Sequence, residues 1–381
     1  MTSISVTAIL LNGFRRYNSS MGARLRLMQI SCSVTDQLGG PSRVVKESHI
    51  ELKKYFETDL IIFGQAKDYT DSIVCPSIFN NRYGIPKRII GNAIEAKLKK
   101  SDVVLIHGFY TFVTLYALAK GSRDTKFFLM PHGSLEEYQW KNNMFLKYFF
   151  RKIFLILVRN RNFAFVVASE SEKLSICKQI PGLELAVIGL GVNYTGTPRV
   201  RRDKPTPLKL VSVSRIAQKK RIDICIEALR LLRDKGISAE LHIAGEGDEE
   251  ILESLRELVS SFELEKYVYF YGHLNRNELL NLMPEMHIFL LPSENENFAI
   301  AVAEAICDGL PTIVSTNVAM HTFVQAHETG VVISDLNADE LKNAILEVST
   351  NLENYSLNAR NSGYLLSWKE VIKGWEQVLC K

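Results

Sequence analysis

The sequence lacks the features that mark several classes of protein. It has six cysteines in 381 residues, Cys32, Cys75, Cys177, Cys225, Cys307 and Cys380, widely spaced and without a C-x-x-C pair. That spacing argues against a zinc ribbon and a disulfide framework, so a reducing, cytoplasmic setting is expected. No apolar run approaches the roughly 20 residues that span a bilayer; Ile153–Val158 comes nearest. The apolar run Ile4–Leu11 has no positive region before it and is followed by Arg15 and Arg16, the reverse of an export signal. Neither sign of charge dominates: the net charge is +4 with 23% charged residues, which fits neither a disordered chain nor a basic nucleic-acid binder. What is abundant is apolar material, 46% of a chain long enough for two domains.

Short β-rich apolar runs alternate with helical patterns in both halves. The first half shows strands at Leu25–Ser31, Leu60–Gly64, Val103–His107 and Lys126–Pro131, with a helical stretch from Ser42 to Phe56. The second restarts the pattern at Leu208–Ser214, Ala239–Gly245, Tyr267–Tyr271, His287–Pro292 and Pro311–Ser315. Such βαβ alternation predicts two doubly wound parallel sheets, and their ligands bind beyond the carboxyl ends of strands, in a cleft where two sheets face each other. Residues 1–24 read as an appendage, with Met21 or Met28 as the expected start. The divisions are then 25–197, an exposed linker at 198–207 rich in proline and charge, 208–366, and a C-terminal helix at 367–381. Trp368, Val371, Ile372, Trp375 and Leu379 recur at helical spacing in that last piece, so it must bury a stripe, and it is expected to cross between domains.

The most informative segment runs from Pro292 to Pro311. A buried strand leads into a helix of good formers closed by Gly309, with Pro311 beyond. Backbone N–H groups of Glu296 to Phe298 are expected to be free at the helix start, where the dipole favours an anion such as a sugar diphosphate. Glu304 follows Glu296 by eight residues, a little over two turns at about 3.6 residues each, which places both carboxylates on one side of that pocket. A helix-start acid and a solvated acid would explain most such pairs. Here Glu304 sits inside the apolar run Ala299–Ile306, where a solvated carboxylate is harder to justify.

The strand, the Pro-Ser pair, the Glu296/Glu304 spacing and the following Gly309-Leu310-Pro311 resemble the signature of retaining glycosyltransferases of the large family-four group. The resemblance covers residues 25 to 381 and implies the GT-B fold, two Rossmann-like domains with the nucleotide sugar held mainly by the second. It implies that Glu296 contacts the donor sugar's hydroxyls, that Glu304 holds the ribose, and that the backbone of Asn297, Phe298 and Ala299 receives sugar and phosphate. The family commonly has Gly-Phe-Gly where this chain has Asn297-Phe298-Ala299.

A second constellation, Ser214 to Arg221, follows the first strand of the second half. Two cations five residues apart at a strand end can clamp two phosphates, and the family's cation pair matches Arg215 and Lys220, with Arg221 replacing its usual glycine. The Gly245-Glu246-Gly247 turn lacks a third glycine and runs into Glu249 and Glu250, so it is read as a tight turn rather than a dinucleotide fingerprint. In the first half, Gly39-Gly40 resembles the family's glycine loop beside acceptor and donor phosphate; it also fits a plain strand-to-helix turn. His132, flanked by Pro131 and Gly133 at a strand's carboxyl edge, matches the family's histidine beside the donor sugar, and His107 occupies a comparable strand end. From Tyr138 to Ala168 six basic residues, Lys141, Lys147, Arg151, Lys152, Arg159 and Arg161, are interleaved with aromatics and no acid. That composition suits an anionic bilayer surface; a helix packing its aromatics inward, or a groove for an acceptor's diphosphate, fits equally.

The resemblance implies transfer of a hexose-type residue from a UDP- or GDP-sugar to a saccharide acceptor with retention. With no D-x-D clamp, neither metal nor cofactor is expected, the cations doing that electrostatic work. The expected setting is surface-polysaccharide assembly, O-antigen or exopolysaccharide, on an undecaprenyl-diphosphate acceptor at the cytoplasmic face of the inner membrane, with no nucleic-acid partner. Two other readings stay open: an epimerase or hydrolase of related fold, and a catalytically silent nucleotide-binding scaffold.

Overall fold

A computed structural model describes residues 25–32, 34, 40–66, 69–75, 85–86, 92–136, 144–194, 200–201 and 205–379. It divides into two compact units. One comprises the residues up to Gly189 together with those from Ile372 onward, the other Leu190–Val371.

The first unit contains, in order, β1 (Arg26–Ser31), α1 (Gly40–Leu52), β2 (Glu57–Phe63), β3 (Ile73–Cys75), α2 (Asn92–Lys100), β4 (Val103–His107), α3 (Phe112–Lys120), β5 (Lys126–Met130), α4 (Met144–Val158), β6 (Asn162–Val167), α5 (Glu170–Gln179) and β7 (Glu184–Val187). Its seven strands are parallel in the order β3-β2-β1-β4-β5-β6-β7. The central strands are continuous apolar runs because helices cover both faces; β4 is buried along its whole length. Gln29, in the middle of β1, is a polar exception with no exposure. Residues 138–143 of the basic-aromatic stretch, Lys141 among them, lie outside the described residues, and the remainder holds two elements, α4 and β6. Arg161 opens the turn into β6 and donates to the Gly121 and Ser122 carbonyls, so that cation is structural.

The second unit contains β8 (Leu208–Val213), α6 (Ile222–Asp234), β9 (Ala239–Ala244), α7 (Glu249–Ser261), β10 (Val268–Phe270), α8 (Arg276–Leu282), β11 (Ile288–Leu291), α9 (Ile300–Cys307), β12 (Thr312–Ser315), α10 (His321–Ala326), β13 (Gly330–Ile333), α11 (Ala338–Thr350) and α12 (Leu352–Ser362), followed by α13 (Trp368–Leu379), which spans the division at Val371. Its six parallel strands run β10-β9-β8-β11-β12-β13. In each unit the strand order reverses once, between β1 and β4 and between β8 and β11. Those are the points where a doubly wound sheet opens a crevice at its carboxyl edge.

The contact boundary, between Gly189 and Leu190, differs from the linker expected at 198–207. Val192 already pairs with Ser367 and exchanges backbone hydrogen bonds with Leu366 and Trp368. Arg201, expected in an exposed connection, is buried; it donates to the Met283 and Met286 carbonyls, each at 3.2 Å, and to that of Asp308. A guanidinium with several donors is well suited to gathering carbonyls left over at helix ends. Of the two candidate starts, Met21 and the rest of 1–24 lie outside the described residues, and Met28 is buried inside β1.

Candidate functional site

In the second unit the chain leaving β8 and the chain leaving β11 come together at the reversal point. Lys220 closes a short 3-10 turn, Gln218–Lys220, and its ammonium lies 2.5 Å from a carboxylate oxygen of Glu296. Lys219 lies 3.6 Å from the same oxygen and donates to the Asn295 carbonyl at 3.2 Å. The Glu294 N–H donates to the Lys219 carbonyl at 2.8 Å, so the segments are joined by backbone as well. Burial lowers the Lys220 pKa in spite of the neighbouring carboxylate, and Lys219 and the exposed Arg215 push in the same direction. An enclosed lysine held by one glutamate, with two further cations beside it, is therefore ready to exchange that glutamate for a stronger anion.

Two details of the sequence reading change. The Glu296 N–H is not free: it donates to the Asn317 carbonyl at 3.1 Å, and the Glu296 carbonyl accepts from Ala319, pairing this stretch with Val318. The helix starts only at Ile300, so Glu296 lies in an extended segment and the two-turn spacing to Glu304 does not apply. Glu304 sits in the second turn of α9, half-buried. The helix start keeps its anion-binding potential at the N–H groups of Ile300 and Ala301, which precede any helical acceptor, while Val302 and Ala303 already donate to the Ala299 carbonyl. Beside it, the Asn297 side-chain oxygen is buried without a hydrogen-bond partner.

Backbone conformation explains the departures from the family's glycines. Ala299 caps α9 at φ +68° and Arg221 follows Lys220 at φ +52°, both left-handed, where a side chain costs about 1–2 kcal/mol. Arg221 is held there by three hydrogen bonds to Asp223 and by Glu294 at 3.5 Å. The tight turn Gly245–Gly247 has a specific task. A Cβ on Gly245 would meet the Ser214 carbonyl oxygen at 1.8 Å, and one on Gly247 the Ile216 carbonyl oxygen at 1.8 Å. Only bare backbone lets this turn lie against the strand end that carries Arg215.

In the first unit, His132 follows β5 in a left-handed conformation, φ +53°. Its ring stacks on that of His107 at 5.3 Å, and its Nε2 lies 3.0 Å from His107 Nδ1. The array continues inward: His107 Nε2 is 3.1 Å from Gln29 Oε1, Gln29 Nε2 is 3.3 Å from His49 Nδ1, and His49 Nε2 is 3.7 Å from Asp71. Burial pushes His132 down to about 4 and His107 well below its usual value, the latter also repelled by His132 and His49. The turn after His132 is tied down by the buried Glu172, whose carboxylate accepts from the Gly133 N–H at 2.7 Å and the Ala168 N–H at 3.0 Å. Glu172, Gln29 and His49 were missed by the sequence reading; a lone polar residue within an apolar strand, Gln29, was the available signal. Gly40 is the exposed first residue of α1, and Gly39 lies outside the described residues.

Two reversed parallel sheets, cations facing a glutamate and helix start in one unit, and a histidine at a strand end in the other define the class of GT-B glycosyltransferase folds. Residues 197–363, within the second unit, match the model of glycosyl transferases group 1. The chain is similar to the glycosyltransferase WcaL of Escherichia coli (strain K12), assigned to colanic acid biosynthesis, with 30% identity over 168 residues, 42% of this chain and 41% of WcaL. It is also similar to the amylovoran biosynthesis glycosyltransferase AmsK of Erwinia amylovora, with 30% identity over 149 residues, 38% of this chain and 36% of AmsK. The matched region thus spans about two fifths of these curated relatives. Among solved structures, sucrose-phosphate synthase of Thermosynechococcus elongatus superposes with a TM-score of 0.72 at 16% identity, covering 93% of this chain and 98% of that one. HepE of Anabaena, in complex with UDP and glucose, gives 0.72 at 14%, covering 93% and 99%. At such identities these two speak for the fold.

Proposed function

We propose that the protein transfers a hexose-type sugar from a nucleoside-diphosphate sugar to a saccharide acceptor in exopolysaccharide or O-antigen assembly, with retention and without a metal ion. The observation that carries this reading is the Lys220–Glu296 pair beside the start of α9, with Arg215 close by. A donor diphosphate would take Lys220 and Arg215 and the N–H groups of Ile300 and Ala301 at the start of α9, freeing Glu296 for the sugar's hydroxyls and leaving Glu304 for the ribose. The bond from the anomeric carbon to the diphosphate breaks with its electron pair leaving on the nucleotide, where the two cations offset the growing charge. The acceptor oxygen bonds the same face of that carbon, and its proton passes to a phosphate oxygen. His132 would contact the donor sugar. UDP in the HepE complex and the polysaccharide roles of WcaL and AmsK support the substrate class; the donor base, UDP or GDP, is for experiment to choose.

The lipid-linked acceptor and membrane contact rest on α4. Among its residues Phe145, Leu146 and Ile156 are at least 70% exposed, with Met144, Tyr148, Phe149, Ile153 and Leu155 also exposed, while Phe154 and Val158 pack inward. Lys147 and Lys152 lie over the Tyr110 and Tyr148 rings, 5.2 and 4.6 Å from the centroids. An apolar face edged by cations and free of acids fits an anionic lipid surface. No helix among the described residues is long and apolar enough to cross a membrane.

The test is a transfer assay with UDP-, GDP-, ADP- and dTDP-sugars in the presence of a chelator. We expect one nucleotide family to support transfer, and Lys220→Ala to lower it by about a hundredfold to a thousandfold. Release of free sugar at the same rate with or without acceptor would replace this reading with a hydrolase, and loss of activity in chelator would overturn metal independence.

A further inference from the structure

The array running inward from His132 is a buried polar chain that the transfer chemistry above does not use. Its members come from three elements, His107 at the end of β4, Gln29 in β1 and His49 in α1, and all three are almost completely buried. Asp71, at the far end, is half-exposed and also receives Lys53 at 2.7 Å. A buried polar chain is costly unless every member is satisfied, so its arrangement of donors and acceptors calls for an explanation.

That arrangement is directional, because two of its members cannot reverse their roles at a given atom. A carboxylate only accepts. Asp71 lies 3.7 Å from His49 Nε2, beyond hydrogen-bond reach but near enough for its charge to favour the imidazole proton on that nitrogen, and a neutral His49 is then left with a bare Nδ1. That nitrogen must accept from the Gln29 amide NH2, which turns the amide oxygen towards Ser48 Oγ, 3.3 Å away, and His107 Nε2. An amide oxygen also only accepts, so His107 carries its proton on Nε2 and presents a bare Nδ1 to His132. The proton in the contact between the two histidines must then belong to His132 Nε2, and neutral His132 is left with an unprotonated Nδ1. Burial favours the neutral form of each histidine, which the downward pKa shifts of His49, His107 and His132 support.

We propose that Asp71, His49, Gln29 and His107 are positioning residues that fix His132 as its Nε2–H tautomer, so that His132 offers Nδ1 as a hydrogen-bond acceptor to a hydroxyl of the substrate. This rests on the placement of His132 beside the donor sugar in the functional reading above. The chain sets orientation rather than conducting protons, since the Gln29 amide cannot accept and release a proton as an imidazole does. A site with an acceptor nitrogen selects sugars that have a hydroxyl at that place over deoxy analogues, which would leave the nitrogen unpaired.

Long-range 1H–15N spectra of the full-length protein at neutral pH read the tautomer of each histidine, with His132→Asn assigning the His132 signals. We expect wild-type His132 to carry its proton on Nε2. Gln29→Met removes both roles of the amide and should leave His132 a mixture of tautomers, whereas Gln29→Glu, which keeps an acceptor for His107, should restore the wild-type pattern. Asp71→Asn, a surface change that spares the core, should also loosen it by removing the one group that sets the direction. The kcat for transfer should fall about tenfold to a hundredfold in Gln29→Met and recover in Gln29→Glu, with the KM for the donor changing less. A wild-type His132 protonated on Nδ1, or a tautomer indifferent to both Gln29→Met and Asp71→Asn, would overturn the proposal. The spectra give their answer whether or not transfer is detected, so failure of the transferase reading is seen separately, in the assay.

Discussion

At the scale of single residues, Ala299 and Arg221 hold left-handed conformations that suit glycine, and only Arg221 has compensating contacts. Ala299→Gly should stabilise the protein by about 1 kcal/mol, seen as a higher Tm. Arg221→Gly should gain little, because relief of strain is offset by loss of the Asp223 and Glu294 contacts. The histidine chain gives a pH dependence. His132 falls from the ordinary 6.5 to about 4 in the folded protein, so between those values the unfolded state binds the extra proton. Stability is then complete above about pH 6.5 and declines as pH falls towards 4, and His132→Asn should flatten part of that decline in thermal melts. The positions of His132, Lys220 and Glu296 after strand ends could be read from the sequence, because each strand is recognisable by its apolar run. Gln29 stood out only as a lone polar residue in an apolar strand and His49 not at all, since what gives both meaning is a contact between β1 and α1.

At the scale of elements, strands were easier to read than the joins between them. Buried parallel strands are apolar throughout, and Val103–His107 was located to the residue; β6 escaped because its apolar run stood next to the equally apolar α4. Periodicity misled at Glu296 and Glu304, where a helix was extended back through a segment that instead pairs with Val318. The role of Gly247 depends on β8 lying beside β9, a neighbour relation no local pattern reveals. Gly247→Ala should displace the stretch from Ser214 to Lys220 and weaken nucleoside-diphosphate binding at least tenfold, about 1.4 kcal/mol, by calorimetry. On α4, Phe145→Ser with Ile156→Ser should reduce sedimentation with anionic vesicles while leaving the Tm within a degree or two, because neither side chain helps fill the core.

At the scale of the whole molecule, each unit has its own core, one around Phe127, Phe154 and Phe165 and the other around Leu210, Ile226 and Leu290. The stripe expected on α13 is buried at all five positions. Trp375 meets Phe128 edge-on at 6.3 Å, Gly374 passes close to Ile188, and Lys126 donates to the Leu379 carbonyl. Trp375→Ala should cost about 3–5 kcal/mol. Calorimetry should show that loss in the transition of the first unit, leaving the nucleotide-dependent shift of the second in place. The same feature bears on how the chain is made. Residues 372–379 complete a core whose other parts are synthesised before Gly189, and translation at about 5–20 residues per second separates the two events by roughly 10 to 40 seconds. The first unit to leave the ribosome is thus the last to be finished, and until then the slot around Phe128 stands open for whatever apolar segment, or chaperone, reaches it first.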